Sequence, residues 1–244
     1  MSLRIDIWSD IACPWCLIGK RRFDAAVAQL PFAGQLEVTY HSYLLDPELP
    51  QHHDGTEAQY LAQRKGMDPA QVAQMLAQVT EVAAGEGLHY DFDALVVASS
   101  RHAHRLLQAA RRAAPDNRPG GLVSKVKDAL LVAHFEQGKD IGDDEALVQL
   151  ATAAGMDQDL ARQAVADESL DDAVTLSQCT AAQLGVQGVP FYVIDERYGI
   201  SGAQPTEVFV QALQQVWDEL NAAPKPVIQP LATDGEACGP DGCA

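Results

Sequence analysis

The sequence predicts an α/β fold in which two sheet-forming halves flank a large all-helical insertion. Three observations carry that reading. Strand-like patterns occur at residues 3–8 and 36–43, they return only at 191–194, and nearly everything between follows a helical period. With 244 residues, 47% of them apolar and 21% charged, the chain can bury a core and is not a disordered polymer.

Residues 3–8 read LRIDIW, alternating with the period of two that a strand requires. Asp10-Ile11-Ala12 then leads into Cys13-Pro14, where proline suits the first turn of a helix because its missing N–H would lack an intrahelical partner. Leu17, Phe23, Val27 and Leu30 keep helical spacing. Residues 36–43 (LEVTYHSY), rich in β-branched and aromatic side chains, make the next strand. From residue 47 onward Ala, Gln, Leu and charged residues recur at helical spacing. Val72, Leu76, Val79 and Ala83 form one apolar stripe, while Leu95, Leu106 and Leu107 mark another helix. Stretches 122–135 and 145–154 repeat the pattern, with Gly155 as a stop, and Asn117-Arg118-Pro119-Gly120-Gly121 breaks the series. After 191–194 a turn leads to a short run at 198–201. Pro205 opens a last helix with Val208, Leu213, Val216 and Leu220 on its inner face. The two halves must pack together to cover one sheet. The expected organisation is 1–46 as the first half, 47–168 as the insertion, 169–223 as the second half, and 224–244 as a flexible Pro- and Gly-rich tail without regular structure.

Charge narrows the partners. A net charge of −17 argues against nucleic acid, whose binding is driven by clustered Lys and Arg. Arg101-His102-Ala103-His104-Arg105, with Arg111 and Arg112, is the local exception and reads as a solvated, charged helix face. No apolar run approaches the ~20 residues of a membrane span, so no membrane partner is expected. The strand-like start shows no secretory signal, so a cytoplasmic location is expected. There a cysteine pair is more often catalytic or metal-binding than structural. Oligomeric state leaves no signature in the sequence.

Cys13-Pro14-Trp15-Cys16 is the motif that carries chemistry. Two cysteines three apart at a helix start face one side of a turn and can close a small disulfide ring. The first sits where unpaired N–H groups and the positive end of the helix dipole converge. Cys13 is therefore expected to be acidic and to attack, with Cys16 a turn deeper resolving the mixed disulfide. Half of a zinc site has the same spacing, but the strand–turn–helix setting favours redox chemistry. Asp6 and Asp10 lie nearby as candidate proton acceptors for Cys16, or simply as a strand-edge charge and a cap. Gly188-Val189-Pro190-Phe191 is the second element, with proline at a strand start. A cis bond there would expose the backbone of Val189 to an extended peptide, although the sequence leaves the isomer open.

Together these elements resemble the DsbA family of thioredoxin-fold oxidoreductases, and more narrowly its FrnE-like branch. The resemblance covers residues 8–16, the helical insertion, Gly138-Lys139-Asp140-Ile141, the Gly-Val-Pro-Phe stretch and Ser201-Gly202-Ala203-Gln204-Pro205. It implies a thioredoxin-like fold with Cys13 as nucleophile, Cys16 as resolving thiol and Pro190 as a cis-proline facing them. Pro14, Trp15 and Val189 would then meet the substrate. One departure matters, since DsbA carries His inside its motif where this chain has Trp15. Indole brings an N–H but no positive charge, so a less acidic Cys13 and a weaker oxidant than DsbA are expected. No cofactor is expected, with glutathione a candidate redox partner. The expected partners are protein thiols and disulfides on unfolded or extended chains, and a reducing cytoplasm favours reduction or repair over net oxidation.

Cys238-Gly239-Pro240-Asp241-Gly242-Cys243 is a second pair, on a turn that can bring its cysteines close. The linker from Pro224 extends up to about 45–50 Å, which lets the pair reach Cys13. A relay with the first pair is one reading, supported by a similar tail motif in FrnE-like proteins; a metal-binding or inert tail are the others. Cys179, in a helical stretch, reads as a small core residue. His41, His89 and His134 lack ligand spacing, and His52-His53 reads as a polar loop. Two rival functions stay open. One is a glutathione-dependent isomerase or transferase of the kappa type, which needs no resolving thiol such as Cys16. The other is a metal-binding protein with Cys13, Cys16, Cys238 and Cys243 as ligands, although such pairs normally lie closer in sequence.

Overall fold

Strand β1 (Leu3–Ser9) organises the sheet because both of its edges are used. Strand β2 (Leu36–Ser42) pairs with it in parallel, from Leu3 opposite Leu36 to Ser9 opposite Ser42. Strand β3 (Phe191–Ile194) pairs antiparallel on the other edge, with Phe191 opposite Trp8 and Ile194 opposite Ile5. Strand β4 (Tyr198–Ser201) completes the order β2-β1-β3-β4. The parallel pair needs a crossover, which helix α1 (Pro14–Val27) supplies. The turn into β4 holds Asp195 and Glu196 at φ of 52° and 56°, the left-handed region that a tight hairpin uses. The structure is a computed structural model and describes residues 2–114, 117–222, 238–239 and 242–243.

Alternation along β1 sends its side chains to two faces. Leu3, Ile5 and Ile7 join the main core with Leu17, Phe23, Phe209 and Leu213, under α1 and the last helix α9 (Thr206–Asn221). Trp8 points the other way and packs with Ala181, Val186 and Phe191 beneath α8 (Asp171–Gln183). Its indole N–H donates to the Ser177 carbonyl at 3.0 Å. Six helices lie between β2 and α8: α2 (Glu57–Lys65), α3 (Pro69–Gly85), α4 (Arg101–Ala113), α5 (Leu122–Gln137), α6 (Asp144–Ala153) and α7 (Gln158–Ala166). Reciprocal caps at Thr56–Gln59 and Asp68–Gln71 start α2 and α3. Helix α5 ends at Gly138, φ 58°, where a Cβ would fall 2.5 Å from the Ala94 carbonyl oxygen. Helix α5 also packs on α1, which sets the helical block against the start of the cysteine-bearing helix.

Four expectations need correction. Two cations of α4 are not on a solvated face, although Arg112 is exposed: Arg105 is buried and bidentate to Asp171 at 2.8 and 2.7 Å, and His104 is buried against Asp10. Partners brought from other segments, which a helical wheel does not see, neutralise them. Leu95 is buried but lies in an irregular segment before α4. Val208 is exposed and Phe209 takes its place in the core, because Phe209, Leu213, Val216 and Leu220 share one helical stripe and Val208 lies beside it. In the tail, Cys238–Gly239 and Gly242–Cys243 pair antiparallel, with Cys238 opposite Cys243, where no regular structure was expected. The linker of the expected relay lies outside the described residues. Among the described residues no helix is long and apolar enough to cross a membrane.

Candidate active site

The residues around Cys13 form a helix start that is anchored from below. Cys13 is the cap residue of α1, with φ −105° and ψ 111°, and Pro14 takes the first helical position. The Cys16 N–H donates to the Cys13 carbonyl at 3.0 Å, closing the turn that joins the two thiols. Across from them the Val189–Pro190 bond is cis, and the Cys13 thiol donates to the Val189 carbonyl at 3.4 Å. Helix α1 meets this segment through Gly19, where a Cβ would lie 2.9 Å from the Pro190 ring and 2.7 Å from the Tyr192 hydroxyl. The structure thus brings Cys13, Cys16, Pro14, Val189 and Pro190 together, with Trp15 exposed beside them.

The two sulfurs face different spaces. Cys13 lines a groove of about 470 Å³ that also contains Trp15, Leu45, Tyr60, Val79 and Val189. Charged groups stand in the same groove. Arg64 is held at 2.9 Å by Asp46, and burial pushes the Glu57 carboxyl up to about 7. Cys16 instead borders a cavity of about 10 Å³ enclosed by Ser9, Tyr40, Lys127, Pro190 and Tyr192. Both cysteines are nearly closed to solvent, at 4% and 2% exposure, so the groove alone gives a substrate its approach.

Electrostatics run against the expectation of an acidic Cys13. Its hydrogen bond with Cys16, burial, and the negative charges of Cys16 and Asp10 push the Cys13 thiol up. For Cys16 burial works against ionisation, but the hydrogen bond from Cys13 and the positive charge of Lys127 outweigh it and pull the thiol down. The two sulfurs share one proton, so the first ionisation of the pair is eased and the second resisted. The helix dipole alone favours a charge on Cys13, whereas the neighbouring groups favour it on Cys16.

The structure separates the two candidate carboxylates. Asp6 pairs with His41 at 2.7 Å, whose ring stacks on Trp8. Asp10 is buried under the helix start, where Oδ1 accepts from the Ala12 N–H, Ser100 and His104, and Oδ2 from the Leu45 N–H at 2.7 Å. Burial opposes its charge, but the His104 hydrogen bond and the other donors keep its carboxyl below the usual range. Saturated in this way, Asp10 is an anchor rather than a proton acceptor. Cys179 is exposed on α8, not a core residue, because it lies off the buried stripe of Val174, Ser177 and Ala181.

Four site residues escaped the sequence reading. Ser100 and His104 carry Asp10, and Tyr90 donates from its hydroxyl to the Pro14 carbonyl at 2.6 Å. Lys127 lies behind Cys16 at 1% exposure. Only Lys127 had a signal: Ser124, Lys127, Leu131 and His134 follow the inward stripe of α5, where a lysine is out of place. Among the described residues no group of three or more His, Cys, Asp or Glu side chains could hold a metal ion.

Residues 4–214 match the family model of the DSBA-like thioredoxin domain. The chain belongs to this family. Over 99% of its length this DSBA-like chain is 40% identical to a solved protein described as a probable DsbA oxidoreductase from Streptomyces coelicolor, with a TM-score of 0.80 and 98% of that chain covered. The cytosolic disulfide reductase DsbM from Pseudomonas aeruginosa, solved with GSH, has a TM-score of 0.58 at 20% identity, with 88% and 99% of the two chains covered. A 2-hydroxychromene-2-carboxylate isomerase has a TM-score of 0.59 at 12% identity, with 89% and 97% covered. These last two share the fold alone. No curated protein matches the chain by sequence.

Proposed function

We propose that this DSBA-like protein is a cytoplasmic thiol–disulfide oxidoreductase that reduces or isomerises protein disulfides through Cys13 and Cys16. The observation that carries the reading is the division of space: Cys13 opens on the groove beside Val189, and Cys16 sits behind it. Cys13 attacks a substrate disulfide, forming a mixed disulfide and releasing one substrate thiolate. Cys16 then attacks Cys13, releasing the second, so two electrons pass from the dithiol to the substrate. An extended substrate chain lies in the groove, with its apolar side chains on Leu45 and Val79 and its backbone beside Val189. Trp15 covers the approach. A reducing cytoplasm favours reduction or repair over net oxidation. The tail pair Cys238–Cys243 is a candidate donor of electrons to the oxidised site.

Equilibration in graded glutathione buffers, with each cysteine trapped and mapped, tests this reading. Joint oxidation of Cys13 and Cys16 at one potential is expected. A stable glutathione adduct on Cys13 alone would favour the kappa-type transferase, and thiols that react only after chelation would favour a metal site.

A further inference from the structure

Lys127 is an anomaly in the core. Its ammonium is buried on α5, and Nζ has no hydrogen-bond partner. Its nearest aromatic contact is the Tyr40 ring, 5.6 Å from Nζ to the centroid. A buried cation without a partner costs several kcal/mol, and apolar residues of the same volume are usually better tolerated. The neighbouring Lys20 shows the ordinary solution, since it is satisfied by Asp24 at 2.5 Å and Asp128 at 3.6 Å. Lys127 has no such carboxylate. What it shares is the small cavity with Cys16 and Ser9, about the size that one water molecule needs.

We infer that Lys127 is the proton partner of Cys16, taking the thiol proton when Cys16 resolves the mixed disulfide. The inference rests on the dithiol reading above. In the mixed disulfide, the Cys16 thiol passes its proton to the neutral Lys127 amine. The Cys16 thiolate attacks Cys13 Sγ, the Cys13–Cys16 bond forms, and the Cys13–substrate sulfur bond breaks. The leaving thiolate keeps the electron pair and takes a proton from solvent. With the thiolate consumed, nothing balances the buried ammonium, and Lys127 releases its proton. The groups that face it fit this cycle: Cys13, Cys16 and the already paired Lys20 from α1, Asp10 from the loop before it, Tyr40 from β2 and Tyr192 from β3. Burial brings its ammonium down to about 8, against the pull of Cys16 and Asp10. A lysine in that range can exchange a proton near neutrality, which a solvated lysine does not.

The test uses the full chain with Cys179, Cys238 and Cys243 replaced by serine, mixed rapidly with a nitrobenzoate disulfide whose released thiolate is coloured. The first phase reports attack by Cys13 and the second reports resolution by Cys16. In Lys127→Met the second phase should slow by about tenfold to a hundredfold at neutral pH. Its pH profile should move up by about one to two units, a larger change than in the first phase, which feels Lys127 only through the proton the two sulfurs share. The same variant should melt at a higher temperature, because a buried charge is gone. An unchanged second phase and pH profile would overturn the role of Lys127. Absence of a second phase in the unsubstituted protein would instead overturn the dithiol reading itself. Should Lys127→Met fail to fold, lysine-selective NMR on the wild-type chain decides. The Lys127 titration should shift down when the dithiol is oxidised, and an identical titration in both redox states removes the proposal.

Discussion

Cys13 and Cys16 are one helical turn apart, yet their surroundings have little in common. Around Cys13 is a groove of about 470 Å³ with apolar walls from α2, α3 and the loops near Leu45 and Val97. Around Cys16 is a cavity of about 10 Å³ walled by the sheet, α1 and a single lysine of α5. The C-x-x-C spacing makes the two sulfurs neighbours but does not make them different. The difference comes from the helical insertion, which supplies the open wall on one side and Lys127 on the other.

The comparison breaks first at the sulfurs. Cys13→Ser should lower disulfide reduction by about a thousandfold or more. Cys16→Ser should instead accumulate a mixed disulfide at Cys13, visible by mass spectrometry; equal trapping at either sulfur would erase the distinction between the two sides. The anchor beneath both comes next. Asp10→Ala leaves His104, Ser100 and the Leu45 N–H without their acceptor and should cost about 3–5 kcal/mol in urea unfolding. A loss below about 1 kcal/mol would mean that the helix start holds without it.

His134, buried beside the groove, gives a pH signature of similar or smaller size. Burial brings its imidazole down to about 4 from an unfolded value near 6.5. The unfolded chain then binds more protons between those values, so stability is full above about pH 6.5 and falls as pH drops toward 4. About 3 kcal/mol should disappear over that window, and His134→Gln should flatten the slope. The smallest effect belongs to the groove wall. Leu45→Glu should raise KM for an unfolded protein substrate several-fold and leave reduction of a small aromatic disulfide unchanged. Loss of both in parallel would argue that the groove does not select chains.

What the sequence disclosed follows physical locality. The period of two in residues 3–8, the β-branched run at 36–43 and the Cys-Pro-Trp-Cys start are statements about neighbours in the chain, and all three appear in the structure. The DsbA resemblance joined Cys13 to the Val189–Pro190 bond, with Val189 176 positions away, which no periodicity could. Hidden were the pairings between segments without a shared motif: Asp10 with His104, Arg105 with Asp171, Lys127 behind Cys16. The inward cations of α4 were misread for that reason. Their carboxylates lie on the helix-start loop and on α8, and burial of a charge is decided by its partner rather than by its own position on a wheel.

The order of the strands has one more consequence, for the chain while it is being made. Strand β1 and the dithiol that follows it at the start of α1 leave the ribosome well before the strand's second sheet neighbour, β3, at Phe191–Ile194. Until that segment emerges, β1 has an open edge and Cys13 lacks the Val189 carbonyl that now covers it. The nascent protein therefore displays a reactive pair while the insertion is being made, and translation speed through that insertion sets how long those thiols stay unguarded.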